Sequence, residues 1–227
     1  MSVKRGKFIT FEGCDGSGKS TQIKLITRWL TEAGYDVLTV REPGGTRIGE
    51  MIRGLLLNPE NAEMSNMTEM LLYAAARAQL ASEVIESALA RGSIVVCDRW
   101  ADSSIVYQGV ARGLGEDVKI VNTRAAGKLF SPDVTILLDL DPNEALARAA
   151  NIKVEGKKYL RLGEDRIEAL GISFQARVRA AYLELAAKEP DRIHVIDAAG
   201  NPEEVQGRVR DALAGALADV PGNGAGV

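Results

Sequence analysis

Residues 7–20 restrict the fold of this chain more than any other part of its sequence. The first half of this stretch is apolar and typical of a buried strand, and residues 13–20 then match the pattern G-x-x-x-x-G-K-[ST] at every fixed position. In such a unit the strand aims the loop, glycines let backbone N–H groups converge on phosphate oxygens, and the next helix adds the positive end of its dipole. The sequence therefore predicts a nucleotide polyphosphate site.

Individual residues of this loop have predicted roles. Lys19 is expected to reach the β- and γ-phosphates of ATP, and the Ser20 hydroxyl is expected to hold Mg²⁺. Cys14 fits either a reactive thiol at a helix N-terminus or a small residue in a tight turn, and we favour the second interpretation. The predicted nucleotide-binding residues are Gly13, Cys14, Asp15, Gly16, Ser17, Gly18, Lys19, Ser20 and Thr21.

Strand-like runs alternate with helical patterns along the rest of the chain. Strands are expected near residues 8–12, 36–40, 93–98, 134–140 and 192–197, with helices between them and a last helix over 202–219. This alternation predicts an α/β fold, a five-stranded parallel sheet with helices on both faces. At 227 residues we expect a single domain over 1–219 and a disordered tail over 220–227.

Composition excludes several classes of function. The net charge of −3 does not indicate a surface for general nucleic-acid binding. No apolar run approaches the ~20 residues of a membrane span. The N-terminus leads into a strand rather than a signal sequence, so a cytoplasmic location is expected. Neither Cys14 nor Cys97 lies in a metal-ligand spacing, and the one histidine, His194, is interpreted as structural.

Polar residues follow three of the predicted strands. Residues 41–46, Arg-Glu-Pro-Gly-Gly-Thr, come after the second strand, and Asp98 and Arg99 come at the end of the third. Because ligands of open α/β sheets bind at the carboxyl ends of the strands, we expect one composite site, with Asp98 facing Mg²⁺. Residues 41–46 alone fit an ordinary turn equally well. Asp139 and Asp141 after the fourth strand could bind metal, but a helix cap suits Asp141 better.

Two further segments have features of a ligand site. Tyr73 and Arg77 stand at i and i+4 of a predicted helix, among alanines that leave room for a flat ligand, although a helical aromatic is usually core. Residues 151–165 are basic and contain glycines, which suits a lid over a polyphosphate or a solvated insertion.

Together these segments resemble those of the thymidylate kinases, the enzymes that phosphorylate dTMP to dTDP with ATP. The matching segments span nearly the whole chain: residues 11–21, 41–46, 73–77, 98–99, 107–109 and 165–168. Many families share the phosphate loop, but the proline-containing loop combined with Asp-Arg and Tyr-Gln-Gly is much more specific. The resemblance implies a P-loop nucleoside monophosphate kinase fold, ATP, Mg²⁺ and dTMP as ligands, and a homodimer.

The resemblance also implies individual roles. Tyr73 would stack on thymine, Arg77 would reach a base oxygen, and Arg99 would hold the acceptor phosphate. Asp15 would bind the sugar 3′-hydroxyl, and Tyr107 would crowd a ribose 2′-hydroxyl. Pro43 would pack near the base, and whether its peptide bond is cis or trans stays open. The implied substrate-binding residues are Asp15, Glu42, Pro43, Tyr73, Arg77, Arg99, Ser104, Tyr107 and Gln108.

The chain departs from those family members that carry an arginine inside the phosphate loop, because Asp15 is followed here by Gly-Ser-Gly. The transition-state cation is therefore expected from the lid, about residues 151–166. Arg148, Arg161 and Arg166 are the candidates, and Lys157 and Lys158 are weaker ones. The implied catalytic residues are Lys19, Arg99, Asp98, Asp15, Arg161 and Arg166, with Ser20 and Asp98 as magnesium ligands. Because the insertion over residues 151–163 is longer than expected for the family, the sequence does not decide which arginine contacts the transferring phosphate.

Two other functions compete with this interpretation. A kinase for another nucleoside monophosphate or for a deoxynucleoside would use the same loop, but Arg99 as a phosphate holder demands a monophosphate. A nucleotide-dependent switch is the second, since residues 197–200 fit D-x-x-G. That match follows the last strand, and the sequence has no N-K-x-D motif, so we regard it as accidental.

Overall fold

The computed structural model describes residues 4–150, 167 and 170–218, apart from the side chains of residues 149 and 150. The predicted lid, about residues 151–166 with Arg161 and Arg166, and the predicted tail lie outside the described residues. Within the described residues five strands form one parallel sheet in the order β2-β3-β1-β4-β5. The strands are β1 Phe8–Glu12, β2 Val37–Arg41, β3 Ile94–Asp98, β4 Val134–Asp139 and β5 Ile193–Asp197. The predicted fold class is confirmed.

Helices connect the strands and follow the last one. The α-helices are α1 Lys19–Glu32, α2 Arg47–Leu57, α3 Asn66–Leu80, α4 Glu86–Ala90, α5 Ala101–Ser104, α6 Asp117–Ala126, α7 Pro142–Ala150, α8 Gly171–Lys188 and α9 Pro202–Leu217. In the part of the chain that the structure describes, no helix combines the length and the apolar character needed to cross a membrane.

The sheet is covered on both faces. Ile9 and Phe11 of β1 pack into a core with α1 and α9, whereas Phe8 packs on the opposite face with Trp100 and the end of α3. β3 alternates in the same way, because Ile94 and Val96 belong to the first core and Val95 and Cys97 to the second. Successive side chains of a strand point to opposite faces, so strands buried on both faces are almost wholly apolar.

Two helical segments differ from what their sequences indicate: Asn66 and Glu69 have the spacing that predicts a helix start, and residues 100–109 lack a long apolar periodicity. α3 is capped by the Ser65 side chain, which accepts the Thr68 N–H, whereas Glu69 is buried and accepts from Gln108 and Arg112 instead of closing a capping box. The segment after β3 is also helical, since α5 continues into a π-helical turn at Ile105–Ala111. A π-helical turn breaks the 3.6-residue spacing, which is why this segment shows no helical periodicity in the sequence.

A buried ion pair joins the start of α5 to the residue before β5 and to the middle of the sheet. Arg192 binds both carboxylate oxygens of Asp102, at 2.7 and 2.9 Å, and Asp102 also accepts from Thr135 on β4 at 3.0 Å. Thr135 is in turn hydrogen-bonded to Thr10 on β1 at 2.8 Å. Only 3% of the Asp102 side chain is exposed, so this carboxylate depends on its partners for solvation.

This dependence gives a stability prediction. Arg192→Leu leaves the Asp102 carboxylate buried without its cation, which should lower the free energy of unfolding by roughly 3–5 kcal/mol. The measurement is equilibrium unfolding in urea at neutral pH. Arg28→Leu is the matched control, because its pair with Glu32 is exposed on both sides, and it should change the unfolding midpoint little. Equal effects of the two substitutions would contradict the conclusion that Asp102 depends on Arg192 for its stability in the core.

Candidate active site

The predicted phosphate loop lies between the end of β1 and the start of α1, where it contacts the backbone of two neighbouring segments. Gly13 has φ 137° and Gly16 has φ 84°, in the left-handed region that glycine tolerates. A Cβ on Gly16 would lie 2.1 Å from the Ala145 carbonyl oxygen, and one on Gly13 would lie 2.5 Å from the Leu138 carbonyl oxygen. These glycines are therefore required by close backbone packing as well as by their φ angles.

Lys19 and Ser20 lie at the start of α1 in positions that suit their predicted roles. The Lys19 ammonium is buried and donates to the carbonyls of Gly13 and Cys14 at 3.0 and 2.9 Å. Burial lowers the pKa of Lys19, and the nearby positive charge of Arg99 adds to this effect. The Ser20 hydroxyl donates to the Asp98 carboxylate at 3.3 Å. The structure thus brings together the two predicted magnesium ligands.

Hydroxyl and carboxylate oxygens of this kind fit Mg²⁺, which usually keeps several waters and takes few protein ligands. Among the described residues no cluster of three His, Cys, Asp or Glu side chains could hold a metal by itself. Of the other acidic candidates, Asp139 is paired to Arg179 at 2.6 and 2.9 Å. Asp141 accepts the Asn143 N–H at 2.9 Å, as the helix-capping interpretation predicted.

Arg99 connects the phosphate loop to the segment after β3. Its guanidinium donates to Asp15 at 2.5 Å and lies 5.3 Å from the centroid of the Tyr107 ring. Partial burial by itself raises the pKa of Asp15, but the charges of Arg99 and Lys19 hold that pKa below its ordinary value. The predicted phosphate-holding cation is therefore next to the residue predicted to bind the sugar, within reach of the loop.

A buried carboxylate that sequence analysis missed lies behind Arg99. Glu12, the last residue of β1, is fully buried and accepts hydrogen bonds from the Trp100 N–H, the Ser103 hydroxyl and the Tyr182 hydroxyl. Burial raises the pKa of Glu12, and Arg99 opposes that shift. The available signal was a carboxylate ending an otherwise apolar strand. Tyr182 is buried on α8, and its hydroxyl belongs to this polar cluster.

Arg77 is more deeply embedded than its predicted role suggests. It is 1% exposed, and its guanidinium donates to Glu42, Ser104, Asn122 and the Trp100 carbonyl. Together these bonds use all five N–H donors of an arginine. Reaching a base oxygen would therefore require one of these protein acceptors to be exchanged. Asn122, on α6, is a further site residue that the sequence did not indicate.

The other predicted base-site residues surround this cluster. Tyr73 is half-buried one helical turn before Arg77, and Pro43 follows Glu42 through a cis peptide bond. Gln108 is buried and donates to Glu69 at 2.8 Å. Tyr107 packs against Phe174 and Tyr182.

Three buried polar atoms around the site have no hydrogen-bond partner among the described residues: Ser17 Oγ, Glu42 Oε1 and Tyr107 OH. Buried polar groups in native structures are normally paired, so such atoms are expected where a ligand completes the hydrogen bonding. They lie in the phosphate loop, the second loop and the segment after β3, which are the three parts of the predicted composite site.

Of the three arginines proposed for the lid, Arg148 lies among the described residues and the other two do not. Arg148 lies in α7 and donates to the Ala198 carbonyl at 2.9 Å and to Glu144 at 2.7 Å. Both bonds hold this side chain against neighbouring protein rather than against the phosphate loop. Arg161 and Arg166 lie outside the described residues, so their predicted roles stay predictions.

The chain is similar to known proteins over most of its length. The family model described as thymidylate kinase matches residues 11–209. The thymidylate kinase of Caldanaerobacter subterraneus subsp. tengcongensis is 51% identical over 194 residues, covering 85% of this chain and 88% of that protein. The thymidylate kinase of Desulfosudis oleivorans is 47% identical over 207 residues, covering 91% and 95%.

A solved structure gives the same result. The crystal structure of thymidylate kinase from Ehrlichia chaffeensis superimposes with a TM-score of 0.73 at 30% identity, covering 92% of this chain and 99% of that one. Sequence similarity, fold and the arrangement of the phosphate loop all agree. This chain belongs to the thymidylate kinase family, and it is an ATP-dependent kinase that phosphorylates dTMP to dTDP.

Proposed function

We propose that dTMP binds at the carboxyl ends of β1, β2 and β3, with its phosphate on Arg99 and its sugar on Asp15. The position of Arg99 carries this proposal, because the guanidinium lies between Asp15 of the phosphate loop and the Tyr107 ring. Among the residues that the structure describes, its second amino group makes long bonds to the Ser103 and Tyr182 hydroxyls, at 3.3 and 3.4 Å. A phosphate can replace such weak bonds with shorter, charge-assisted ones.

The base would occupy the space between Tyr73, Pro43 and the Arg77 cluster. Tyr73 would stack on thymine, while Ser104 and Gln108 would help to read its edge. For Arg77 to donate to a base oxygen, a bond to a neutral acceptor such as the Ser104 hydroxyl, at 3.0 Å, would be exchanged more easily than the two bonds to one carboxylate oxygen of the buried Glu42. Tyr107 would then exclude a 2′-hydroxyl.

In the transfer step the protein positions two phosphates and stabilises charge, since phosphoryl transfer needs little covalent help. Lys19 would turn from the loop carbonyls to the β- and γ-phosphates of ATP. Ser20 and Asp98 would hold Mg²⁺, which supplies positive charge to the phosphate oxygens when bound. Arg99 would fix the attacking oxygen in line, and a lid arginine, Arg161 or Arg166, would neutralise the transferring group.

The acceptor specificity can be tested directly. We expect ADP release from Mg-ATP to be fast with dTMP, about 10- to 200-fold less efficient with dUMP, and slight with dCMP, AMP, GMP and thymidine. The dUMP value reflects one missing methyl group, and thymidine lacks the phosphate that Arg99 would hold. A coupled assay with each acceptor in turn is the measurement. Preference for thymidine, or release without any acceptor, would contradict the acceptor site and favour a deoxynucleoside kinase or a switch.

The lid arginines give a second test. Arg161→Ala or Arg166→Ala should lower kcat by roughly 10³-fold, because an arginine on the transferring phosphoryl group contributes about 10³–10⁵ in related reactions. The Kd for dTMP should change much less. Arg28→Ala, on the exposed face of α1, is the control. If these two variants and Arg148→Ala all keep a near-normal kcat, the transition-state cation does not come from the lid.

We also propose that the enzyme is a homodimer that pairs through α2, α3 and α6. These helices pack against one another and carry exposed apolar side chains, among them Met51 at 64%, Leu71 at 50% and Ile120 at 63%. Exposed apolar side chains gathered on adjacent helices are typical of a protein interface. The family resemblance supplies the occupant, a second copy of the chain.

Sedimentation velocity tests this interface. Met51→Glu and Ile120→Glu should each convert the dimer to a monomer at micromolar concentration, because a charge would be buried without a partner. Leu146→Glu is the control, since Leu146 is 46% exposed on α7 and lies outside the proposed interface. A wild-type protein that sediments as a monomer, or variants that stay dimeric, would contradict the proposal.

A further inference from the structure

Arg99 adopts a backbone conformation that its residue type disfavours. Its φ is 67°, and it is the one non-glycine residue with positive φ in the described part of the chain. Left-handed backbone is unfavourable for a residue with a Cβ, and it persists where surrounding contacts impose it. Such contacts must therefore hold Arg99, and they lie on the last residues of β1.

Three hydrogen bonds fix the peptide groups on either side of Arg99. The Arg99 N–H donates to the Phe11 carbonyl at 3.0 Å, and the Cys97 thiol lies 3.0 Å from the Arg99 carbonyl oxygen. The next amide, that of Trp100, donates to the Glu12 carboxylate at 2.7 Å. Since Trp100 N–H belongs to the peptide that follows Arg99, Glu12 determines how the chain leaves this residue.

The same carboxylate organises the groups that face the guanidinium. Its second oxygen accepts from the Ser103 hydroxyl at 2.6 Å and the Tyr182 hydroxyl at 2.7 Å, and it lies 3.9 Å from the Arg99 guanidinium. Ser103 and Tyr182 are themselves the acceptors for the second amino group of Arg99. Glu12 thus acts on Arg99 twice, through the main chain and through two hydroxyl groups.

We propose that Glu12 is the positioning residue of the acceptor phosphate site, which holds Arg99 in its left-handed conformation and aims its guanidinium at the phosphate of dTMP. Glu12 is fully buried behind Arg99, so it acts through that side chain and not on the substrate. This inference rests on the proposed role of Arg99. Burying a carboxylate is costly, and the hydrogen bonds from the Trp100 N–H and the Ser103 and Tyr182 hydroxyls offset part of that cost.

The test compares the affinity of each variant for dTMP and for thymidine by titration calorimetry. Thymidine shares every contact of dTMP except those to the phosphate, so the ratio of the two Kd values isolates the phosphate site. Arg99→Ala should reduce the preference for dTMP by about 100-fold, and Glu12→Gln should reduce it by about tenfold, because its uncharged amide keeps the shape but loses charged hydrogen bonds. Thymidine affinity should stay near the wild-type value in both.

The double variant Glu12→Gln with Arg99→Ala completes a thermodynamic cycle. If Glu12 acts only through Arg99, the double variant should show the same preference as Arg99→Ala alone. Additive effects would overturn the proposal and leave Glu12 a purely structural residue. If Arg99→Ala itself leaves the preference unchanged, the proposed role of Arg99 is wrong. The experiment therefore distinguishes a wrong role for Arg99 from a wrong role for Glu12.

Two controls separate positioning from general damage. Asp102→Asn removes another buried carboxylate, one that contacts Arg192 and Thr135, and it should lower stability without changing the preference for dTMP. Tyr182→Phe removes a 2.7 Å bond to Glu12 and the 3.4 Å bond from Arg99, so it should lower the preference several-fold even if Glu12→Gln does not fold, and it should have no further effect in Arg99→Ala. Tyr35→Phe should leave the preference unchanged. An unchanged preference in Tyr182→Phe together with Glu12→Gln, or a loss in Asp102→Asn, would overturn the inference.

Discussion

The parallel pairing of β1 with β3 is the constraint on which the active site depends. In this register Phe11 lies opposite Asp98, so the residues just beyond them, Glu12 on one strand and Arg99 on the other, emerge side by side at the carboxyl edge. β2 pairs with the other side of β3 and brings Arg41 and the loop after it to the same edge. A shift of one residue in either pairing would turn each of these side chains to the opposite face of the sheet.

The site contains charged groups that the protein core shields from water. Glu12, Glu42 and Arg77 are all buried. Glu12 and Arg77 each have several hydrogen-bonding partners from other elements, whereas Glu42 binds Arg77 through one carboxylate oxygen. Removing charges from water costs several kcal/mol for each ion, so an arrangement of this kind persists only when its geometry is nearly complete. The same completeness gives a rigid site, in which a nucleotide meets groups already held in place. Rigid positioning of this type is what phosphoryl transfer requires of a protein.

Much of this architecture could be predicted from the sequence, because it depends on local patterns. The alternation of apolar strands with helices indicated the parallel sheet, and the fixed glycines with Lys19 and Ser20 indicated the phosphate loop. The side chains at strand ends, Asp98 and Arg99 among them, were expected to converge because parallel strands share one carboxyl edge. Two other features could not be predicted from the sequence, for physical reasons. The π-helical turn after α5 removed the helical periodicity, and Glu69 satisfied the spacing of a capping box while forming a buried ion pair.

The sequence by itself determined the fold class, the nucleotide loop and the types of residue at the site, because each of these follows from short-range spacing. The tertiary structure alone decided the partners of those residues. Glu12 with Tyr182, and Arg77 with Asn122, are separated by 170 and 45 positions along the chain. Contacts over such distances arise from the packing of α8 against β4, β5 and the segment after α5, and of α6 against α3, and no local pattern encodes them. Burial also decided the electrostatics, since the pKa of a carboxylate such as Glu12 depends on the solvent it loses and the donors it gains.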